Sequence, residues 1–318
     1  MQRFSKSLCF VSGMLMAGVA HAGQAEQAYK RGDYATAVEL WSVMAKTGDA
    51  QAEDNLGTAY AEGHGVVQDY VQAVAWYRRA ADQGDAQAEH NLGSLYDRGL
   101  GVKQDYAEAA IWFRKAAGQG LAVAQTNLGL LYRDGRGVPQ DYREAATWFR
   151  EAAGQGTPIA QYFLGLAYAK GQGVAQDYAE AIAWYRKGAE QGNALAQHDL
   201  GVAYAEGLGV TLDYAQADSW FQKAADQGNA GAEYDLGVSY YKGLGVPLDY
   251  VQAVAWLRKS ADQGNAKAEN SLGVAYLDGH GVKQDTAQAL ILIRKAADRG
   301  DSTAKANLIK LDPPAKKA

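Results

Sequence analysis

Leu92-Gly93-Ser94-Leu95-Tyr96-Asp97-Arg98-Gly99-Leu100-Gly101-Val102-Lys103-Gln104-Asp105-Tyr106 is the stretch on which the fold turns. Its Leu-Gly-x-x-Tyr opening also occurs at Leu56–Tyr60, Leu128–Tyr132, Leu164–Tyr168, Leu200–Tyr204, Leu236–Tyr240 and Leu272–Tyr276, always 36 residues apart. A Gly-x-Gly-Val follows each time, from Gly63–Val66 through Gly279–Val282. Asp opens the next segment at 69, 105, 141, 177, 213, 249 and 285, and Trp recurs at 76, 112, 148, 184, 220 and 256. Self-similarity at one fixed period is the mark of a repeat array. The 318 residues, which by length alone suggest two domains, therefore read as one elongated domain of repeats.

Each unit reads as two helices. The first runs from about Ala50 to Glu62, with Ala52, Leu56, Ala59 and Tyr60 on one face at helical spacing. The second runs from about Tyr70 to Gln83, with Ala73, Trp76, Tyr77, Ala80 and Ala81 on one face. Asp69 and Gln72 stand at capping-box spacing, so the carboxylate is expected to accept an early backbone N–H. The pattern returns from Asp105/Glu108 to Asp285/Gln288. Gly84 suits the left-handed residue after a helix, and Pro158 suits a first helical position. Four glycines per unit, equivalent to 57, 63, 65 and 84, give 28 of the 37 in the chain. They read as one helix contact and two turns per repeat.

This pattern resembles the Sel1-like repeat family, relatives of tetratricopeptide repeats. The resemblance implies an all-α fold, an α/α solenoid of about seven 36-residue repeats. They are framed as 49–84, 85–120, 121–156, 157–192, 193–228, 229–264 and 265–300. Residues 23–48, with Ala28-Tyr29-Lys30-Arg31-Gly32-Asp33-Tyr34, look like a plain tetratricopeptide-type first unit. Residues 301–312 form half a unit, with Leu308 in register and Ile309 in place of the usual Gly. Terminal repeats face water on one side, which accounts for such departures. Residues 313–318 read as a disordered tail.

The first 22 residues read as a signal peptide. Arg3 and Lys6 are followed by an apolar run from Leu8 to Ala20 and by Ala20-His21-Ala22 as cleavage site, predicting a mature start at Gly23. That run is too short to cross a membrane as a helix. Cys9, the single cysteine, lies within it. The mature chain is then exported, needs no disulfide, and keeps 29 basic against 36 acidic residues. An acidic balance argues against a nucleic-acid partner, and no integral membrane segment remains.

A partner surface is expected on the first helices, opposite the face of Leu56, at positions equivalent to 54, 58 and 61. These vary between units while the core positions scarcely do. The candidate groove residues are His90, Arg133, Tyr162, Leu166, His198, Val202, Tyr234, Val238 and Tyr241. Rows of aromatic and aliphatic side chains mark protein-binding patches. In families of this kind the groove lined by first helices commonly binds proteins or peptides.

Chemistry-bearing motifs are sparse. His90 and His198 stand three repeats apart and His64 and His280 six, too far for either pair to share a metal. The Gly-x-Gly loops lie between helices, with no preceding strand, third Gly or Lys-Ser/Thr, so they do not read as phosphate loops. Ser239-Tyr240-Tyr241-Lys242 and Ser302-Thr303-Ala304-Lys305 read Ser-x-x-Lys, and Lys46-Thr47-Gly48 reads Lys-Thr-Gly. The chain order is the reverse of a β-lactamase, no Ser-Asp-Asn occurs, and Ser239 falls in the core register of Ala59. No catalytic residue, cofactor or metal is expected. The reading is a non-catalytic periplasmic, or else secreted, scaffold for a protein partner. The resemblance makes an immunity protein against a secretion-system lipase or phospholipase one expectation, and an envelope adaptor or host-interaction protein the other. A penicillin-binding or β-lactamase-like enzyme and a peptidoglycan-binding module are the remaining alternatives.

Overall fold

The computed structural model describes residues 21–311, all of whose regular elements are helices. Helix α1 covers 21–30 and α2 covers Tyr34–Ala45. The first helices of the seven repeats are α3 (Ala50–Glu62), α5 (Ala86–Arg98), α7 (Ala122–Asp134), α9 (Pro158–Lys170), α11 (Ala194–Glu206), α13 (Ala230–Lys242) and α15 (Ala266–Asp278). Their second helices are α4 (Tyr70–Asp82), α6 (Tyr106–Gly118), α8 (Tyr142–Gly154), α10 (Tyr178–Glu190), α12 (Tyr214–Ala225), α14 (Tyr250–Asp262) and α16 (Thr286–Asp298). Helix α17 (Ser302–Leu311) closes the array. The predicted tail at 313–318 and all of the predicted leader except residues 21 and 22 lie outside the described residues; those two belong to α1.

The helices are α-solenoid pairs: the two helices of each repeat pack on each other, and within each of two units successive repeats pack in turn. The chain divides into two compact units, Met1–Gln155 and Gly156–Ala318, at the turn between α8 and α9. The repeat period carries no mark of that division.

Helix starts follow the expected caps, with one difference. Asp69 accepts hydrogen bonds from the backbone N–H groups of Val71 and Gln72, as predicted. Its own N–H does not receive a side chain to complete the box. It donates instead to the carbonyl oxygen of Tyr60 at 2.9 Å, and every equivalent Asp does the same down to Asp285 on Tyr276. That bond ties the start of each second helix to the first helix of its own repeat.

Small residues set the packing distance. Ala52, Leu56 and Ala59 are buried with Ala37, Trp41 and Met44 of α2, while Ala73, Tyr77, Ala80 and Ala81 are buried with Ala88, Leu92 and Leu95 of the next repeat. The glycine of Leu-Gly-x-x-Tyr is a close-approach residue: a Cβ on Gly57 would stand 2.5 Å from the Tyr77 ring. The second glycine of Gly-x-Gly-Val binds neighbouring repeats together. Gly137 has φ +68°, and a Cβ there would overlap the peptide carbonyl of Tyr106 at the start of α6. Successive repeats are further joined by Arg114 Nη2 donating to Tyr132 Oη at 2.8 Å, Arg186 to Tyr204 at 2.9 Å and Arg258 to Tyr276 at 3.1 Å. Arg78 and Tyr96 make the same pair.

Candidate functional site

The first helices carry polar side chains that the hydrophobic pattern does not reveal. At positions equivalent to 53 an acid or amide is buried and bonded to the end of its own second helix. Gln83 donates to Glu53 at 2.6 Å, Gln119 to Glu89 at 2.9 Å, and Gln155 to Gln125 at 2.8 Å. Gln191 to Gln161, Gln227 to Gln197 and Gln263 to Glu233 continue the series, each at 2.8 Å. In the last repeat Arg299 replaces the glutamine, and the buried Glu269 meets Lys295 Nζ at 2.8 Å and Arg299 Nε at 3.3 Å. A buried polar group is tolerated only when so compensated. The signal was present in the sequence, since an acid or amide at 53 always accompanies Gln or Arg at 83.

A second ladder joins consecutive first helices through residues 37 apart. Asn91 Nδ2 donates to Asp54 Oδ1 at 3.0 Å, Asn127 Nδ2 meets His90 Nε2 at 3.1 Å, and Asn307 Nδ2 donates to Asn270 Oδ1 at 3.0 Å. His198 Nε2 meets Asp235 Oδ2 at 2.8 Å, while its Nδ1 meets Asp199 Oδ1 at 3.1 Å. Position 54 therefore faces the next repeat and not the side away from the core.

Two histidines at one repeat position consequently differ in charge. Burial lowers His90, whose neighbours Asn91 and Asn127 are neutral. Burial also works against the His198 imidazolium, but the hydrogen bonds and charges of Asp199 and Asp235 outweigh it, and it is pushed up to about 9. His64 and His280 are likewise engaged, stacked on Tyr34 at 4.4 Å and Tyr250 at 4.3 Å between ring centroids.

Asp54 is 4% exposed, and burial first, then the Asp85 charge, push its carboxyl up to about 7 against the opposing Asn91 hydrogen bond. The folded chain thus holds this proton more tightly than the unfolded one. Its contribution to stability is fully present below the ordinary value of 3.8 and is lost as pH rises towards 7. Asp54→Asn is expected to leave stability unchanged at pH 4 and to raise it by about 1–3 kcal/mol at pH 8 in urea unfolding. The same difference at both pH values would exclude a buried charge as the cause.

All nine sequence-predicted groove residues are half-buried. In the first unit, His90 belongs to the ladder, and Arg133 Nε pairs with Asp134 at 2.7 Å. In the second unit, Tyr162 stacks on Tyr185 with centroids 5.9 Å apart, and Leu166 packs against the same cluster. Val202 lies against the cluster of Phe221 and Leu236. Tyr241 Oη meets His280 Nδ1 at 2.8 Å. Three of the nine, Tyr234, Val238 and Tyr241, come together in one pocket of about 230 Å³, with Lys242, Leu257, Asn270, Ser271 and Val274 completing its wall.

The Ser-x-x-Lys match is structural here: buried Ser239 donates to Asp218 Oδ1 at 2.6 Å, while Lys242 is exposed. Among the described residues no group of three or more His, Cys, Asp or Glu is placed to hold a metal ion. No described helix is long and apolar enough to cross a membrane.

The Sel1 repeat family model matches residues 50–85, 86–121, 122–157, 158–193, 194–229, 230–265 and 266–301. The chain is a member of the Sel1-repeat family. A search of curated proteins found no match. Among solved structures, this Sel1-repeat protein is similar to a protective antigen present in uropathogenic Escherichia coli strains, at 35% identity and a TM-score of 0.72, over 92% of this chain and 72% of that one. A Sel1 repeat protein from Oxalobacter formigenes is similar at 35% identity and a TM-score of 0.70, covering 94% and 90%. An immunity protein from Pseudomonas aeruginosa is far more distant, at 23% identity and a TM-score of 0.42 over 69% and 82%, a likeness that carries no argument about role.

Proposed function

We propose that this Sel1-repeat protein is a non-catalytic scaffold that holds a protein partner in the bacterial periplasm. The observation that supports it is the division of labour on the first helices. Positions 52 and 56 are Ala and Leu in all seven repeats, whereas 54, 58 and 61 change from repeat to repeat. In the second unit the changing positions bring aromatic and aliphatic groups together in one pocket. Tripartite patterning over residues 1–22 supports export. Within this reading the partner is a lipase or phospholipase effector, and binding blocks it. Cells producing the exported protein should then survive a lipase encoded beside its gene; death with and without the protein removes the inhibitor role and leaves the scaffold.

A second reading, a host-facing or envelope adaptor, is favoured by the 35% identity to a protective antigen. Both readings share one surface test. Tyr162→Ala, Tyr234→Ala and Tyr241→Ala together are expected to weaken the partner complex at least about tenfold, measured by calorimetry with the helical circular dichroism retained. Undiminished affinity would remove the groove from either reading.

A further inference from the structure

The pocket between α13, α14 and α15 combines apolar walls with hydrogen-bond donors that have no acceptor among the described residues. Val238, Leu257 and Val274 supply apolar wall, and the half-buried ring of Tyr234 adds to it. Lys242, exposed at the end of α13, forms no ion pair among the described residues. Asn270 accepts from Asn307 through Oδ1, and its Nδ2 has no partner among the described residues. No Asp or Glu lines the pocket, although acids outnumber bases by 36 to 31 in the chain.

An opening of about 230 Å³ is below the ~300 Å³ at which small-molecule sites begin, and suits a single side chain. Free donors beside apolar walls complement an apolar group flanked by negative charge. Lys242 is on the solvent-exposed side, so charge and apolar group must arrive side by side, as adjacent residues of a folded protein present them. We propose that this pocket anchors the partner protein, whose binding is the reading argued above, by taking one leucine- or phenylalanine-sized side chain with a neighbouring Asp or Glu on Lys242 and Asn270.

The test uses the full chain with labelled methyl groups and three blocked peptides, acetyl-Ala-Glu-Leu-Glu-Ala-amide and its Gln and Lys counterparts in place of Glu. The Glu peptide should shift the Val238, Leu257 and Val274 methyl signals at about 1 mM, and the Gln peptide should bind up to about fivefold more weakly. Lys242→Gln should erase that difference, and Val274→Trp, which fills the pocket, should abolish the Val238 shift with helical circular dichroism unchanged. Equal shifts from all three peptides, or no shift at about 10 mM, would overturn the proposal. Shifts from decanoate but not from the Glu peptide would also overturn it, assigning the pocket to a free amphiphile. A periplasmic partner that binds Val274→Trp protein undiminished would sink this anchor while leaving the scaffold standing. Peptide shifts without any periplasmic partner would keep the pocket and sink the scaffold.

Discussion

Gly137→Ala is expected to destabilise the protein by about 4 kcal/mol or more, whereas Gly120→Ala costs only about 1–2 kcal/mol. Both residues occupy left-handed backbone, with φ of +68° and +90°, so the conformational penalty of a Cβ is shared. Their surroundings are not. A Cβ on Gly120 meets nothing within 4 Å, while one on Gly137 overlaps the Tyr106 peptide group, which cannot swing aside as a side chain would. Because neighbouring repeats are stabilised through their junctions, the larger loss should be local as well as global. Hydrogen exchange should show protection lost first around α6, α7 and α8, and urea unfolding should rank the two variants. Equal effects would mean that backbone strain alone, and not contact between repeats, sets the requirement for glycine.

Removing both Lys295 and Arg299 as alanines should cost about 3–5 kcal/mol. Glu269 is fully buried, and Lys295 and Arg299 are the cations that compensate its charge among the described residues. Their loss strands a charge in the core, where an unpaired ion is far more costly than the pair it leaves. Adding Glu269→Gln to the double variant should recover most of the stability. Gln125, Gln161 and Gln197 show that an amide fits the same repeat position. If the triple variant is no more stable than the double, the loss came from lost side-chain packing and not from the buried charge.

Helices, caps and turns were legible because each depends on residues close in sequence. Asp69, Gly63 and Gly84 declare their roles within four or five positions, and the structure places α3 and α4 where those signals put them. The ladders were harder to read. A helical wheel at 100° per residue separates the face toward the second helix from the rest, but it contains no neighbouring repeat. Asp54 therefore looked outward, yet it is buried against Asn91. The unequal charges of His90 and His198 depend on residue 127 in one case and residue 235 in the other, 37 positions downstream. Comparing position 54 of one repeat with position 55 of the next would have exposed the ladder. Of the groove residues, Tyr234, Val238 and Tyr241 converge because α13 carries all three at spacings of four and three, a helical stripe open to view. The share that Leu257 on α14 and Val274 on α15 take in the same wall depends on packing between elements, which no local pattern encodes.

The two kinds of turn also differ in what they permit over evolutionary time. Gly84, Gly120 and Gly192 end their repeats with nothing within 4 Å of an added Cβ, whereas Gly65, Gly101 and Gly281 are pressed onto the backbone of the preceding second helix. A recombination breakpoint at the open turn transfers a repeat with its internal contacts whole. One at the closed turn separates a helix pair and breaks the contact that joins two repeats. The array can therefore gain or lose length in complete 36-residue steps, and its seams are the open turns.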